Sequence, residues 1–165
     1  MDVAGGRGSL LATILLANPQ LRGILFDLPQ VIAGSQHEAA LNDPTIAARC
    51  TFASGSFFEA IPTGADAYML KWILHDWDDA EATSILSNIR RAMRPDGTLL
   101  VVEMMIAPGN APSVGKVLDL AMLTQTGGRE RTEVEYRRLF EAADFDLARV
   151  IPTASPYSII EGQPR

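Results

Sequence analysis

Residues 2–29 read DVAGGRGSLLATILLANPQLRGILFDLP, and the way this stretch is parsed decides the fold. Asp2 and Val3 are enough only for the end of a strand, and Gly5, Gly6 and Gly8 follow at once as a turn. Beyond it Ser9 is a candidate N-cap, Leu11, Ile14 and Leu15 fall on one helical face, and Asn18-Pro19 stops the helix. Residues 22–29 then make a short apolar strand that ends at Asp27 and Pro29. Strand, glycine turn, helix, strand is the opening unit of a parallel sheet.

The alternation continues outward from there. Residues 30–49 are helical in composition with a break at Asp43-Pro44, residues 50–58 read as a third strand, and residues 66–74 as a fourth. The fourth is apolar on both faces, as a central parallel strand should be. Asp78 caps the next helix, in which Ala82, Ile85, Leu86, Ile89 and Met93 form one stripe. Residues 98–106 are a fifth strand, and residues 114–126 a helix. Thr132 and Glu135 form a capping box for a last helix facing inward with Tyr136, Leu139, Phe140 and Ala143. Residues 146–153 and 157–162 have no helix between them and so pair antiparallel. The expected fold is a three-layer αβα sandwich: a mostly parallel seven-stranded sheet with a C-terminal antiparallel hairpin and a truncated first strand.

A chain of 165 residues suits one domain, and 47% apolar with 21% charged residues is a folding composition, not a disordered one. A net charge of -6 argues against a nucleic-acid partner, which needs clustered Lys and Arg; Arg90, Arg91 and Arg94 read as the solvated end of a helix. No apolar run approaches the roughly 20 residues that cross a bilayer, and no signal-peptide pattern opens the chain, so no membrane partner and a cytoplasmic location are expected. One cysteine, Cys50, with His37 and His75 is a thin set of soft ligands, so no metal is expected and Cys50 reads as a small buried hydrophobe.

Parallel α/β sheets bind ligands outside the carboxyl ends of their strands. There the glycine turn allows close approach to a helix N-terminus, and Asp27 is placed to accept hydrogen bonds from a ribose diol. The plainer alternative is a connecting turn and a turn-forming aspartate. Lys71, His75, Asp76 and Trp77 gather at or just past the end of the fourth strand, and Glu103 ends the fifth. A histidine can take up a proton near neutral pH if a carboxylate orients its ring, and Glu103 is placed to hold its other nitrogen. The alternative is a helix-capping loop whose histidine is satisfied by solvent. Trp72 and Trp77 read first as packing residues.

In this order, DVAGGRG, ILFDLPQVI, GSFF, LKWILHDWDD, RPDGTLLVVEMM and DLAMLTQTGGRERTEVEY resemble the S-adenosylmethionine-dependent O-methyltransferases of the plant and bacterial small-molecule type. That family includes caffeate, hydroxyindole and polyketide methyltransferases. The resemblance implies a Rossmann-like methyltransferase fold, S-adenosyl-L-methionine as cofactor with S-adenosyl-L-homocysteine as product, and a small aromatic substrate. It implies that His75 is the general base, flanked by Glu103 and Glu130. Asp27 would bind the cofactor ribose with Leu28 beside it, Lys71 would lie at the cofactor site, and the turn of Ala4, Gly5, Gly6 and Gly8 would pass its methionine part. Met122 would pack on the aromatic substrate, and Asp76 would lie close to it. Two positions depart from the pattern. Ala4 stands where many relatives have glycine, and Ser56, next to Phe57, stands where many have an adenine-binding aspartate.

Family members also carry an N-terminal helical domain that forms a homodimer and closes the substrate pocket. Residues 1–165 are expected to be the catalytic domain alone, with that domain absent. A catalytically impaired cofactor-binding remnant or subunit is therefore the alternative reading. A nicotinamide-dependent oxidoreductase rests only on the glycine turn and Asp27, without the full dinucleotide fingerprint.

Overall fold

The computed structural model describes residues 1–165. Strand β1 (Asp2–Val3) leads through the glycine turn into α1 (Ser9–Ala17) and β2 (Gly23–Asp27). Short helices α2 (Pro29–Ser35) and α3 (Pro44–Ala47) precede β3 (Cys50–Ser54). Then come β4 (Ala67–Lys71), a single 3-10 turn (Leu74–Asp76), α4 (Asp79–Ala92) and β5 (Thr98–Met104). Helices α5 (Val114–Gln125) and α6 (Glu133–Ala142) lead to the hairpin of β6 (Phe145–Pro152) and β7 (Tyr157–Pro164).

The sheet has the order β3-β2-β1-β4-β5-β7-β6. All pairs are parallel except those of β7 with β5 and with β6. The order reverses between β1 and β4, so the crevice that such a sheet opens at its switch point lies beyond Val3 and Lys71.

Each face of the sheet has its own core. On one, α4 supplies Ala82, Ile85, Leu86, Ile89 and, just past its end, Met93, and α6 supplies Tyr136, Leu139 and Phe140, all buried against Val3, Phe26, Leu70 and Val101. On the other, Leu11, Ala12 and Leu15 of α1 pack with Ile32, Ile46, Leu25 and Cys50. The caps hold as read: Asp78 accepts the Glu81 N–H at 2.8 Å, and Thr132 with Glu135 closes a full capping box. These two caps start the helices that border the crevice, which fixes where the loops before them must lie.

Several boundaries differ from expectation. Ser9 is the first helical residue and not the cap; Gly8 holds that position in the left-handed conformation with no side-chain bond. The turn itself delivers the backbone, with the Gly8 N–H on the Gly5 carbonyl and the Ala12 N–H on the Gly8 carbonyl. Ala12, and not Ile14, shares the buried face with Leu11 and Leu15. The third strand stops at Ser54, because Ser56 starts a turn that takes the N–H groups of Glu59 and Ala60. The fourth stops at Lys71, where Trp72 turns the chain at a φ of 57°. The fifth stops at Met104, two residues short of the span read from sequence. The helical region at 30–49 is two short helices separated by turns.

Candidate active site

At the end of β1 the glycine turn is tied down from two sides. The Gly6 N–H donates to Asp27 Oδ2 at 2.8 Å, and the Leu28 N–H to Asp27 Oδ1 at 2.7 Å. The buried Ser35 hydroxyl donates to the Gly6 carbonyl at 2.8 Å. Ala4, Gly6 and Gly8 all have positive φ, and a side chain on Gly6 would point into open space. A Cβ on Gly5 would instead strike the Asp2 carboxyl group and Leu25, so glycine there lets the acid lie against the turn.

Asp2 was not singled out from sequence, although it directly precedes the turn. It is 2% exposed, and its Oδ2 is buried without a hydrogen-bond partner. Burial pushes its pKa up to about 6; the chain's amino terminus and Lys71 oppose that rise, and Asp27 adds to it. Lys71 makes no ion pair, its ammonium lying 4.3 Å above the Trp72 ring. Leu28 is largely exposed beside the turn. The Ser56 hydroxyl accepts the Phe58 N–H at 3.2 Å, and Phe57 and Phe58 meet the Trp77 ring edge-on.

The second half of the site is built around the 3-10 turn beyond β4. Glu103, wholly buried on β5, accepts the N–H groups of Ile73 and Leu74 on Oε1, both at 3.0 Å. This replaces the strand ladder and folds the chain so that His75 lies above the carboxylate. His75 Nδ1 is 3.0 Å from Glu130 Oε1 and 3.7 Å from Glu103 Oε2. Asp76 Oδ1 stands 3.7 Å from Nε2. Both glutamates therefore face the same ring nitrogen, Nδ1. Carboxylates accept hydrogen bonds, so Nδ1 carries the proton and Nε2 remains as the acceptor.

Electrostatics follow from this burial. Burial opposes a charged His75 ring, but the hydrogen bond to Glu130 and the negative charges of Glu103, Glu130 and Asp76 outweigh it, so its pKa is raised above 6.5. Burial raises Glu103 to about 7, against the pull of His75 and of the two backbone donors. Glu103 Oε2, Glu130 Oε2 and the Tyr136 hydroxyl are all buried without hydrogen-bond partners. One donor atom from each of His75, Glu103 and Glu130 lies within 4.8 Å of the others, a spacing a metal ion could also use.

What holds the turn in place is a strap, residues 127–132, that sequence reasoning matched only as a family motif. Arg131 is fully buried. Its guanidinium donates to the carbonyls of Leu74 at 2.7 Å and Trp77 at 2.9 Å, and to Asp79 Oδ1 at 2.8 and 2.9 Å. The Arg129 N–H donates to the His75 carbonyl at 2.8 Å, and a side chain on Gly128 would collide with that same carbonyl. Asp119 on α5 accepts the Glu130 N–H at 2.9 Å, which joins the helix bearing Met122 to the strap. Met122 itself is half-buried on that helix. No local signal marks an arginine between a glutamate and a capping threonine as buried.

The topology defines the class: a doubly wound α/β domain whose polar site lies at the switch point of its sheet. The O-methyltransferase domain model matches residues 1–158, and the chain belongs to that family. It is 44% identical over 164 residues to a phenazine O-methyltransferase of Lysobacter antibioticus, covering 99% of this chain and 48% of that one. A methyltransferase of calicheamicin biosynthesis, solved with S-adenosylhomocysteine bound, superimposes with a TM-score of 0.91 at 40% identity, over 99% of this chain and 48% of that one. An O-methyltransferase of neocarzinostatin biosynthesis, in complex with S-adenosylmethionine and 2-hydroxy-5-methyl naphthoic acid, gives 0.88 at 34% identity, with 99% and 48% covered. The chain thus spans about half the length of the curated relatives it matches, 48% and 46% for two of them. The match leaves the nicotinamide alternative without support. No helix is long and apolar enough to cross a membrane.

Two outcomes follow. In an NMR titration the His75 ring should have a pKa above 6.5, and Glu130→Gln, which removes the hydrogen bond and one charge, should lower it; an unchanged value contradicts the pairing. Arg131→Met strips the guanidinium from the Leu74 and Trp77 carbonyls and from Asp79, and should cost about 3 kcal/mol in urea unfolding, well beyond the ~0.5 kcal/mol of a neutral surface change.

Proposed function

We propose that residues 1–165 are the cofactor-binding catalytic half of an S-adenosylmethionine-dependent O-methyltransferase. It methylates a phenolic hydroxyl on a small aromatic or polyketide-type natural product, with His75 as general base. The observation that carries this reading is a histidine whose Nδ1 is turned to two buried carboxylates, leaving Nε2 as an acceptor. The ligands bound by the two solved relatives support the cofactor and the substrate class.

The residues suit the cofactor. Asp27 keeps lone pairs beyond its two backbone donors for a ribose diol. The orphaned Asp2 Oδ2 suits the α-ammonium, and the unpaired Lys71 amine suits the carboxylate. The open side of Gly6 admits a chain close to the backbone. Leu28 and Phe57 offer apolar surface to the adenine, and Ser56 offers a hydroxyl beside them. When bound, the sulfonium supplies an activated methyl group and departs as a neutral thioether.

The chain's own work is then proton removal and positioning. A phenol with a pKa of about 10 is a poor nucleophile until its proton is taken, and His75 Nε2 accepts it as the oxygen attacks. Glu130 holds the Nδ1–H, and Glu103 and Glu130 together stabilise the imidazolium that results. Asp76 lines the approach to Nε2, and the Met122 thioether presents an adaptable surface to the aromatic ring. With a neutral leaving group, the step needs no metal. A full-length form of about the relatives' size would add the remaining pocket wall and the homodimer contact.

Isothermal titration with S-adenosylhomocysteine tests the reading: saturable binding is expected, and a folded chain that binds none contradicts it. His75→Ala should keep that affinity while lowering methyl transfer to phenols by about 10²–10⁴-fold. Asp2→Asn should weaken binding by roughly tenfold or more, the loss of one charged hydrogen bond. Because the folded pKa of Asp2 is about 6, above its ordinary 3.8, its contribution to stability is lost as pH rises through about 6. Asp2→Asn should therefore melt higher than the parent at pH 8 and alike near pH 4.

A further inference from the structure

Two carboxylates face one side of the His75 ring, and both are short of positive partners. Glu103 is fully buried and Glu130 is 2% exposed. Nδ1 has one proton to give; it lies 3.0 Å from Glu130 Oε1, while Glu103 Oε2 stands off at 3.7 Å. Neither glutamate pairs with a lysine or arginine. The buried guanidinium of Arg131, next in the chain to Glu130, directs its donors to Leu74, Trp77 and Asp79 instead. Oε2 of each glutamate is left without a hydrogen-bond partner. Buried carboxylate oxygens of this kind are costly unless a proton donor or a cation reaches them.

The spacing selects the cation. Zinc takes imidazole nitrogen and carboxylate oxygen at about 2.0–2.2 Å in a tetrahedron, which sets neighbouring ligand atoms about 3.4 Å apart. The two separations from Nδ1, 3.0 and 3.7 Å, bracket that value. One donor atom from each of the three residues lies within 4.8 Å of the others. Three protein ligands leave a fourth position for water. Mg²⁺ and Ca²⁺ prefer larger sets made of oxygen alone and gain little from an imidazole. The ligands are also held from behind: the N–H groups of Ile73 and Leu74 fix Glu103 through Oε1, and Asp119 accepts the Glu130 N–H. Part-exposed Asp76, 3.7 Å from Nε2, makes the approach to the ring acidic as well.

We propose that His75, Glu103 and Glu130 form an inhibitory site for a divalent transition-metal ion such as Zn²⁺, bound through Nδ1 and one oxygen of each glutamate in place of the Nδ1 proton. The two carboxylates balance its charge. With Nδ1 on the ion, the proton of the neutral ring sits on Nε2, which then donates and cannot take a proton from a substrate hydroxyl. The ion blocks methyl transfer without occupying the glycine turn or Asp27. Its binding does not depend on the reaction proposed above; its inhibitory effect rests on His75 being the base of that reaction.

The test titrates the folded chain with Zn²⁺, followed by calorimetry and by nitrogen-15 NMR of the His75 ring, with Mg²⁺ as control. Saturable Zn²⁺ binding should replace the pyrrole-type Nδ1 signal and put the proton on Nε2. EDTA should reverse both changes, Mg²⁺ should cause neither, and the affinity for S-adenosylhomocysteine should not change. His75→Ala should weaken Zn²⁺ binding by about 100-fold and Glu130→Gln by about tenfold, with S-adenosylhomocysteine binding as the check that each variant is folded. His37→Ala, which removes the only other histidine, should leave it unchanged. Methyl transfer to a phenol should fall with the bound fraction and return with EDTA. Absence of saturable binding, or binding kept in His75→Ala and lost in His37→Ala, overturns the site and leaves His75 as base untouched. Zn²⁺ on Nδ1 with undiminished methyl transfer overturns the inhibitory role, and His75 as base with it.

Discussion

Glu103 arrives at the end of β5 fully buried and divides its two oxygens, Oε1 on the N–H groups of Ile73 and Leu74, Oε2 beneath the His75 ring. A carboxylate in such a place is costly to ionise, which is why burial lifts its pKa to about 7. Two backbone donors and a cationic ring offset that cost, and each has a structural effect. The donors bend the chain out of the strand and into the 3-10 turn, and the ring is held where Glu130 can take its Nδ1–H. Glu103 thus contributes both to the shape of the turn and to the charge beneath His75.

The turn is then locked from above by the strap. Arg131 binds the carbonyls at both ends of the His75 turn and reaches Asp79 at the start of α4. Gly128 permits the close backbone approach, and the capping box at Thr132 fixes where α6 starts. Because Glu130 and Arg131 are neighbours in the strap, the residue that orients the ring and the residue that holds its backbone move as one unit. This arrangement keeps side chains with many rotamers in a single geometry, which proton transfer over hydrogen-bond distances requires.

Much of the architecture was legible because it rests on local signals. The apolar stripe of α4, the caps at Asp78 and Thr132 and the missing helix before the hairpin each act within a few residues, and the seven-stranded sheet follows from their order. The site was less so. Spacing put His75 and Glu103 at neighbouring strand ends, Glu130 joined them only through family likeness, and the structure brings the three side by side. Their geometry depends on contacts across 55 residues for His75 with Glu130 and 57 for Arg131 with Leu74, which no local pattern encodes. Asp2 was passed over because a single acid before a glycine turn resembles any strand-end residue until its burial is known. Ser9 misled for the opposite reason: a good capping residue stood beside a turn whose backbone already did the capping.

The central claim is that the two glutamates fix the ring so that Nδ1 carries the proton and Nε2 is free to accept one. Nitrogen-15 NMR of the His75 ring, recorded at a pH above its raised pKa, reads this directly. The account predicts a protonated, pyrrole-type Nδ1 and an unprotonated, pyridine-type Nε2. The reverse tautomer, with the proton on Nε2, would contradict it, since that nitrogen could then take no proton from a substrate hydroxyl.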